Sequence, residues 1–469
     1  MPDLDTGVPA LLLRLDPNPF HHGTLGAVRS LGRAGVEVHA MVAPPGGPVA
    51  RSRHLCQVHA PPATTSRDAL HEALRRASDA IGRPALLLAL DDRGAIAVAE
   101  LAPALAGRYL LPEIPGHLVA RVADKSELAA LCAELAIPHP TTLVPDDPSE
   151  AADAVRELGA PVVAKWSRPW LLPPGMRSTT LVRNPAQASL LHRLSARAGS
   201  RLLLQRHLPG GRGTDWFFHG YAGEDGAFLV GGAGRKELSW PPRTGLTALG
   251  TWRPNPAVEQ AAARLAARVG YRGVLDLDFR LDPVGGDYHL LDFNPRPGAQ
   301  FRLFTWDGGL DVVRAQHLHL TGRAVPRTAG APGRLFVAEN YAALSALAAL
   351  VRPVRHREAR PRPPAPAAAA APAPPAGHRP STARRTCEGA WWAADDPLPL
   401  LAMAASWSLA GARRVLRLPA GATAPVPALP APAPPGTAPQ PSDEARPRPA
   451  APARPGATRE GEARPCTTS

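Results

Sequence analysis

Lysine is almost missing from this sequence of 469 residues, although the chain is strongly basic. Lysine and arginine together number 53, yet the lysines are only Lys125, Lys165 and Lys236. Arginine offers a broad planar fork, whereas lysine offers a compact charge suited to single phosphate oxygens in a tight pocket. A chain with this bias keeps lysine mainly where arginine cannot serve, so these three positions are candidates for phosphate binding.

Clustered cysteines, a basic leader and a long apolar run are lacking as well. The four cysteines, at positions 56, 132, 387 and 466, have no CxxC spacing, so they suggest neither a zinc site nor a disulfide framework. The first residues, MPDLDTG, are acidic and lack the apolar region of a signal peptide. The longest apolar stretch, 397–412, is too short to cross a bilayer, and we expect either a packed helix or an interfacial one. We therefore expect a cytoplasmic protein without a membrane partner.

The net charge of +13 is concentrated in one segment. Residues 351–385 contain eight arginines against a single acid, and they supply +7 of the charge. This segment and residues 419–469 are rich in proline and alanine, which predicts a low-complexity insert at 358–384 and a disordered tail. Aromatic side chains on which bases could stack are not interleaved with these arginines. The composition therefore favours a solvated linker, and no nucleic-acid partner is expected.

The segment LDLDFRLDPVGGDYHLLDFNPRPG, residues 275–298, alternates polar and apolar side chains around a Pro/Gly/Asp turn. This pattern predicts an antiparallel hairpin that sets Asp278 opposite Asp292 and Asp276 opposite Asn294. Because strand side chains alternate, all four would project from one face. Facing carboxylates destabilise a sheet unless a positive charge lies between them. The hairpin is therefore either a Mg²⁺ site made of oxygen ligands, or a solvated polar face with a drifted register.

Each lysine lies on or beside a predicted element. Lys165 ends the apolar strand APVVAKW, and Lys125 opens an amphipathic helix that the residue on either side of it could cap. Residues 201–223 then predict an apolar strand that leaves through a glycine-rich turn and returns as an aromatic strand. Lys236 follows one hairpin later. The three lysines thus precede the acidic hairpin in chain order.

The motif DFNPRPGA, residues 292–299, and the lysines that precede it resemble the ATP-grasp superfamily. The motif is similar to the acidic-x-Asn-x-Arg metal strand of that superfamily, and the resemblance covers residues 8–325. Within it, RSLGRAGVEV, GYRGVLDLDFRLD and WWAADDPLPLL resemble the carboxylate–amine ligase group that includes D-aspartate ligase. The resemblance implies two α+β lobes with ATP between them and amide bond formation through an acyl phosphate. It also implies two Mg²⁺ ions, which Mn²⁺ could replace.

The resemblance also implies roles for particular side chains. The residues expected to bind ATP are Lys125 and Lys165 at the α and β phosphates, Gln205, Arg206, His207 and Leu208 at the adenine, Asp215 at the ribose, and Lys236 at the γ phosphate. The metal ligands would be Asp278, Asp292 and Asn294. Arg296 would steady the acyl phosphate, with Lys236 as the second catalytic residue. Asp292 stands where a glutamate is more frequent in the family.

The N-terminal region alternates strands and helices as a parallel, Rossmann-like α/β sheet does. It contains no GxGxxG, so dinucleotide binding has little support. Asp91 and Asp92 follow a buried strand, where open sheets bind ligands, although ordinary loop polarity explains them equally well. Arg302 is either a fork for a substrate carboxylate or a surface arginine. These three are the candidate substrate residues.

The predicted organisation is an α/β domain followed by a two-lobed α+β ATP-grasp domain and a partly disordered C-terminal region. Its ranges are 1–115 for the preceding domain, 116–200 for the central lobe, 201–330 for the lobe with the metal hairpin, 331–418 for an extension that contains the insert, and 419–469 for the tail. The predicted function is an ATP-dependent carboxylate–amine ligase that acts on small molecules. A bicarbonate-activating carboxylase or carbamoyl-phosphate-type enzyme and a non-catalytic ATP-binding scaffold remain alternatives. The absence of GxSxG and of a helical histidine pair argues against serine and zinc hydrolases.

Overall fold

The computed structural model describes residues 3–44, 46–64, 66–241, 245–351 and 386–417. The insert predicted at 358–384 and the tail predicted at 419–469 lie outside these residues. The described residues up to Arg413 belong to one compact unit, and every contact given below lies within it.

Helices alternate with strands along most of the described chain. The α-helices are α1 (His22–Gly32), α2 (Arg67–Ile81), α3 (Asp92–Leu105), α4 (Gly116–Ala123), α5 (Lys125–Glu134), α6 (Pro148–Leu158), α7 (Pro185–His192), α8 (Ser195–Ala198), α9 (Pro256–Val269), α10 (Val312–Leu320), α11 (Glu339–Val351) and α12 (Leu398–Arg417). Short 3₁₀ turns cover Pro48–Arg51, Pro169–Leu171, Phe301–Leu303 and Asp307–Gly309.

Side-chain caps fix where the two helices nearest the predicted site begin. Asp91 accepts the N–H of Gly94 at the start of α3. Asp124 accepts the N–H groups of Ser126 and Glu127 at the start of α5. Such caps satisfy donors that the first helical turn leaves free. Of the two residues that could cap the helix at Lys125, the structure thus identifies the preceding aspartate.

A five-stranded parallel sheet forms the N-terminal part and agrees with the predicted α/β domain. Its strands are β1 (Ala10–Arg14), β2 (Val38–Val42), β3 (Gln57–His59), β4 (Ala85–Ala89) and β5 (Tyr109–Leu110), in the order β3-β2-β1-β4-β5. Every residue of β1 and β2 is buried, as expected for a parallel sheet with helices on both faces. The strand order reverses between β1 and β4, and ligands bind open sheets at such a crevice.

A four-stranded antiparallel sheet follows, and it corrects one prediction. Its strands are β6 (Thr142–Leu143), β7 (Val162–Trp166), β8 (Thr179–Val182) and β9 (Leu202–Arg206), in the order β6-β9-β7-β8. The sequence predicted that the strand at 202–206 returns as the aromatic strand after it, but β9 pairs with β6 and β7 instead. Strand β9 therefore belongs to the same sheet as β7, and the glycine-rich segment joins two sheets rather than turning a hairpin.

A seven-stranded sheet carries the acidic hairpin. It contains β10 (Asp215–Ala222), β11 (Phe228–Trp240), β12 (Leu246–Trp252), β13 (Gly273–Leu281), β14 (Tyr288–Asn294), β15 (Leu335–Val337) and β16 (Cys387–Gly389), in the order β14-β13-β10-β11-β12-β15-β16. On the hairpin, Asp278 lies opposite Asp292 and Asp276 opposite Asn294, so the predicted register is confirmed. Strands β15 and β16 come from the predicted C-terminal extension, which therefore completes this sheet.

The segment WWAADDPLPLL packs against the N-terminal part of the molecule. Trp391 is fully buried, and its carbonyl accepts a hydrogen bond from Arg29 of α1 at 2.9 Å. Asp396 accepts from Arg29 at 2.9 Å and from Ser52 at 2.7 Å. The helix predicted at 397–412 is α12, which overlaps the end of this segment. Among the described helices, none combines the length and the apolar character that crossing a bilayer requires.

One hydrophobic core runs from the N-terminal sheet to the seven-stranded sheet. Leu12 of β1, Leu25 of α1, Phe217 of β10 and Phe304 belong to the same buried cluster. Close packing of this kind fixes the relative position of the elements that share it. The carboxyl end of β4 is consequently held beside the hairpin of β13 and β14.

Candidate functional site

Two pairs of facing polar side chains lie on the hairpin of β13 and β14. Asp276 and Asn294 are named the inner pair, and Asp278 and Asp292 the outer pair. The Asp276 side chain is 7% exposed, whereas those of Asp278 and Asp292 are 33% and 28% exposed. The two carboxylates of the outer pair are therefore the more accessible ones.

The three lysines of the chain surround the outer pair. Lys125 Nζ contacts Asp292 Oδ1, and Lys236 Nζ lies 3.9 Å from Asp278 Oδ1. Lys165 is buried, and its Nζ donates a hydrogen bond to the backbone carbonyl next to Asp292 at 3.1 Å. The lysines reach this point from α5, β11 and β7, so the fold brings together residues that are far apart in the sequence.

A β-bulge explains why that carbonyl is available to Lys165. The pairing of β13 with β14 shifts by one residue after the outer pair, which leaves Leu291 without a partner on β13. A bulge places its extra residue outside the ladder and bends the strand locally. The Leu291 carbonyl accepts from Lys165 instead, and this contact holds the ammonium group beside the outer pair.

Burial and neighbouring charge together set the protonation of the outer pair. Burial raises the pKa of Asp278 to about 6, and the nearby carboxylates act in the same direction. Burial also opposes ionisation of Asp292, but Lys125 and Lys165 outweigh it and hold the pKa of Asp292 below its usual value. A divalent cation between the two carboxylates would favour the ionised form of both, and their oxygens suit Mg²⁺.

The inner pair is engaged by an arginine. Arg296 Nη1 donates to Asp276 Oδ2 at 3.0 Å, and Asn294 Nδ2 donates to the same oxygen at 3.3 Å. Arg296 Nε lies 3.2 Å from Asp92 Oδ1 in the first turn of α3. Burial opposes the charge of Arg296, but Asp92 and Asp276 outweigh it and raise its pKa. Arg296 thus links the hairpin to the N-terminal domain.

Asp276 is the site residue whose role the sequence did not reveal. Its alternation with Asp278 placed it correctly on the polar face, but the predicted metal ligands were Asp278, Asp292 and Asn294, and Asp276 was assigned no role of its own. In the structure Asp276 faces Arg296. The alternation is the signal that finds Asp276, but no local pattern identifies its partner. Burial raises the pKa of Asp276 to about 6, although Arg296 counteracts the shift.

The segment predicted to bind adenine lies at the end of β9. The side chains of Gln205 and Arg206 already donate hydrogen bonds to other side chains, each at 3.0 Å. Leu208 is buried and His207 is half-buried. The backbone of this segment and the ring of His207 are therefore the groups best able to meet a base.

Two predicted ligand residues have partners within the protein. Asp215, the predicted ribose ligand, accepts a hydrogen bond from Arg280 Nε at 2.7 Å. Asp91 caps α3 and also accepts the backbone N–H of Asp16 at 2.9 Å. Of the two acids at the carboxyl end of β4, Asp91 thus serves the fold, whereas Asp92 contacts Arg296.

Arg302 is not a surface arginine, and its guanidinium group is already paired. It is buried and donates to Asp311 at 2.6 Å and to Glu388 at 3.2 Å. Burial opposes its charge, but the two acids outweigh that effect and raise the pKa of Arg302. The surface alternative is therefore wrong. A guanidinium already held by two carboxylates gives no support to the predicted contact with a substrate.

A cluster of metal-ligating residue types lies on the N-terminal sheet and involves Glu37, His39 and Cys56. His39 Nε2 lies 2.8 Å from Glu37 Oε1, and its Nδ1 lies 3.0 Å from His59 Nε2. One tautomer of each ring satisfies this chain of hydrogen bonds without an ion. The cluster therefore carries no metal assignment.

No family model and no curated protein matches this sequence. Solved structures do match. The biotin carboxylase domain of 2-oxoglutarate carboxylase from Hydrogenobacter thermophilus, in complex with MgADP, ADP and bicarbonate, is 16% identical with a TM-score of 0.52, over 69% of this chain and 72% of that chain.

Two further solved structures belong to enzymes with other reactions. The L-amino acid ligase of Bacillus licheniformis is 11% identical with a TM-score of 0.53, over 71% of this chain and 79% of that chain. The N5-carboxyaminoimidazole ribonucleotide synthetase of Thermus thermophilus is 19% identical with a TM-score of 0.50, over 70% of this chain and 81% of that chain. At these identities the likeness is one of fold.

Proposed function

We propose that this chain, which has the ATP-grasp fold, is an ATP-dependent carboxylate–amine ligase. One observation carries the proposal: all three lysines of the sequence converge on the two facing carboxylates of the outer pair. A protein that needed only solvated surface charge would have no reason to gather its three lysines beside one pair of carboxylates. Phosphate groups beside a divalent cation account for both the lysines and the acids.

The side chains of the outer pair fit a magnesium nucleotide. Asp278 and Asp292 would hold Mg²⁺ through their oxygens, and Asn294 would add its amide oxygen because its nitrogen already donates to Asp276. The cation would neutralise charge on the phosphate oxygens during transfer. The three lysines would contact the α, β and γ phosphates. In this type of reaction the protein supplies position and electrostatic stabilisation.

The reaction follows from the chemistry of a carboxylate, which cannot expel oxide when an amine attacks. One carboxylate oxygen first takes the γ phosphoryl group, the bond to the β phosphate oxygen breaks, and ADP leaves. The amine nitrogen then attacks the carbonyl carbon, the bond from carbon to the phosphate oxygen breaks, and phosphate leaves as the nitrogen loses a proton. Arg296, next to the hairpin, would stabilise the negative charge of the acyl phosphate. Small carboxylates and amines are the substrates.

The experiment measures ADP release by the purified chain with MgATP and a panel of acids and amines. The ligase proposal expects release that requires an acid and an amine together, and a product mass equal to their sum minus water. Release driven by bicarbonate without another acid would instead identify a carboxylase. MgADP binding without turnover on any substrate would identify a scaffold. Asp287→Asn, at the exposed turn of the same hairpin, is the control that should keep full activity.

A further inference from the structure

A cavity of about 70 Å³ lies between the N-terminal sheet and the start of β13. One wall is a face of α3, where Ala95, Val98, Ala99 and Ala102 follow helical spacing. The other walls come from the carboxyl end of β4, from α4 and the segment before it, and from the loop around Arg296. Most of the lining is apolar, so the cavity is suited to an aliphatic group.

This cavity is distinct from the nucleotide site. None of the three lysines lines it, and neither acid of the outer pair does. Arg296 lines the cavity and also contacts Asp276 of the inner pair, so a single guanidinium joins the two spaces. A molecule bound to Arg296 can therefore place one end near the hairpin and the other in the cavity.

Two polar groups at the cavity have unused hydrogen-bonding capacity. Among the contacts of the described residues, Arg296 uses Nε and Nη1 toward Asp92 and Asp276, and none involves Nη2. Gln316 of α10 is 3% exposed, and its Oε1 has no hydrogen-bond partner. Buried acceptors are nearly always satisfied in native proteins. A ligand that carries both a carboxylate and an N–H donor would satisfy both groups.

We infer that this cavity receives the side chain of an aliphatic α-amino acid, the acid that the ligase activates. Arg296 would hold its carboxylate, and Gln316 Oε1 would accept a hydrogen bond from its amino group. This inference rests on the function proposed above and names the class of one substrate. The chemistry of activation is unchanged: the amino acid carboxylate takes the phosphoryl group, and the amine of the second substrate displaces phosphate.

The size and polarity of the cavity select among amino acids. One water molecule needs roughly 10–15 Å³ of such space, so the cavity accepts about five heavy atoms. A branched side chain of about four carbons, as in leucine, fills that space. Besides Arg296, the cavity wall contains Arg272, which already pairs with Glu113 at 3.9 Å and donates to its carbonyl at 3.4 Å. An acidic side chain would therefore bring a second carboxylate into a mostly apolar lining without an unpaired cation for it, which is costly. The substrate therefore differs from aspartate.

Calorimetric titration tests this selection on the full chain loaded with Mg²⁺ and a non-hydrolysable ATP analogue. The probes are leucine, alanine, glycine and aspartate. Each buried methylene contributes about fourfold in affinity, so leucine should bind about fiftyfold more tightly than alanine, and aspartate should bind more weakly than either. Aspartate or glycine binding as tightly as leucine would overturn the inference, and so would a failure of all four to bind.

A pair of matched variants on α3 tests the location. Ala102→Leu adds a side chain to the wall of the cavity, whereas Ala104→Leu adds the same side chain to an exposed position of the same helix. The first variant should remove the preference for leucine over alanine, and the second should retain it. A preference that survives in both would place the aliphatic group elsewhere and overturn the inference.

A variant of Gln316 tests the predicted contact with the amino group. Gln316→Met keeps the length of the side chain but removes the acceptor. The variant should bind leucine about tenfold more weakly. Its affinity for 4-methylpentanoate, which is leucine without its amino group, should not change. Equal losses for the two probes would contradict the contact with the amino group.

ADP release separates this inference from the function on which it rests. ADP release that requires an amine together with aspartate, and not with leucine, would support the ligase activity and overturn the assignment of the cavity to an aliphatic amino acid. Tight leucine binding that depends on the cavity, without ADP release for any amine, would support the binding site and contradict the proposed ligase activity.

Discussion

The inner and outer pairs lie on the same two strands, yet their charges are balanced in different ways. Asp276 is buried, and its Oδ2 accepts hydrogen bonds from the guanidinium of Arg296 and from Asn294. The acids of the outer pair are more exposed and meet the compact ammonium groups of lysines. Arg296 thus pairs with the inner carboxylate and ties it to Asp92 of the N-terminal domain, whereas the lysines leave the outer carboxylates partly exposed.

The largest effect that separates the two pairs is expected from Asp292→Asn. The substitution keeps the shape of the side chain and removes one of the two negative ligands, so turnover should fall by about a thousandfold or more. The melting temperature should change little, because the Asp292 side chain is partly exposed. Activity close to that of the unaltered chain would remove the metal assignment. Asp287→Asn, on the exposed turn, is the matched control.

Replacing a lysine beside the outer pair by arginine should give the next largest effect. Lys165→Arg keeps the positive charge but introduces a broad fork into a position that is only 8% exposed. We expect the affinity for MgADP to fall by about a hundredfold, as measured by calorimetry. Retention of nucleotide affinity in this variant would mean that any positively charged side chain suffices at this position, and that the scarcity of lysine is unrelated to phosphate binding.

Asp276 of the inner pair should affect stability rather than nucleotide binding. Asp276→Asn removes the buried carboxylate that pairs with the partly buried Arg296, so the free energy of unfolding should fall by about 2 kcal/mol. MgADP affinity should remain within about twofold of the unaltered chain, because Asp276 is not a ligand in this account. Chemical denaturation and calorimetry on the same preparation measure both quantities. A large loss of MgADP affinity would erase the distinction between the pairs.

The smallest expected effect is a loss of stability at low pH. It limits the pH range in which variants of the two pairs can be compared. His22 is buried among aromatic rings, and burial lowers its pKa to about 4. Below its ordinary pKa of about 6.5 the unfolded chain binds a proton that the folded chain does not, so stability is lost as the pH falls. This histidine alone should reduce the free energy of unfolding by about 1 kcal/mol between pH 6.5 and pH 5.5.

Denaturation of His22→Leu at the same pH values checks that assignment. The variant should lose less stability than the unaltered chain over this interval, because its side chain has no proton to bind. An unchanged dependence on pH would assign the acid sensitivity to other groups, such as the buried His219, whose pKa burial lowers to about 3.

Local patterns were enough to predict the hairpin register and the elements that carry the lysines. The alternation of DLDF and LDFN around a short turn fixes which residues face each other, and the observed pairing agrees. Lys165 was likewise expected on a strand, and it lies on β7. These predictions depend on residues close together in the chain, where turn length and side-chain periodicity decide the geometry.

Long-range partners could not be predicted in the same way. Arg296 meets Asp92 about two hundred positions earlier in the chain, and Arg302 meets Glu388 in the C-terminal extension. No periodicity connects such residues, because the contact depends on how separate sheets pack. The failed hairpin after β9 has a related cause, since a glycine-rich turn between two apolar strands fits a hairpin and a crossing between sheets equally well.

In the proposed function, the outer pair binds the divalent cation of a nucleotide whose phosphates the three lysines hold. Crystals of the chain grown with ADP and Mn²⁺ would test it most directly, because anomalous scattering locates the manganese independently of any assignment. The account predicts a peak within coordination distance of Asp278, Asp292 and Asn294, with the ADP phosphates beside Lys125 and Lys165. A manganese peak bound to Asp276 instead, or a nucleotide bound away from the lysines, would contradict it.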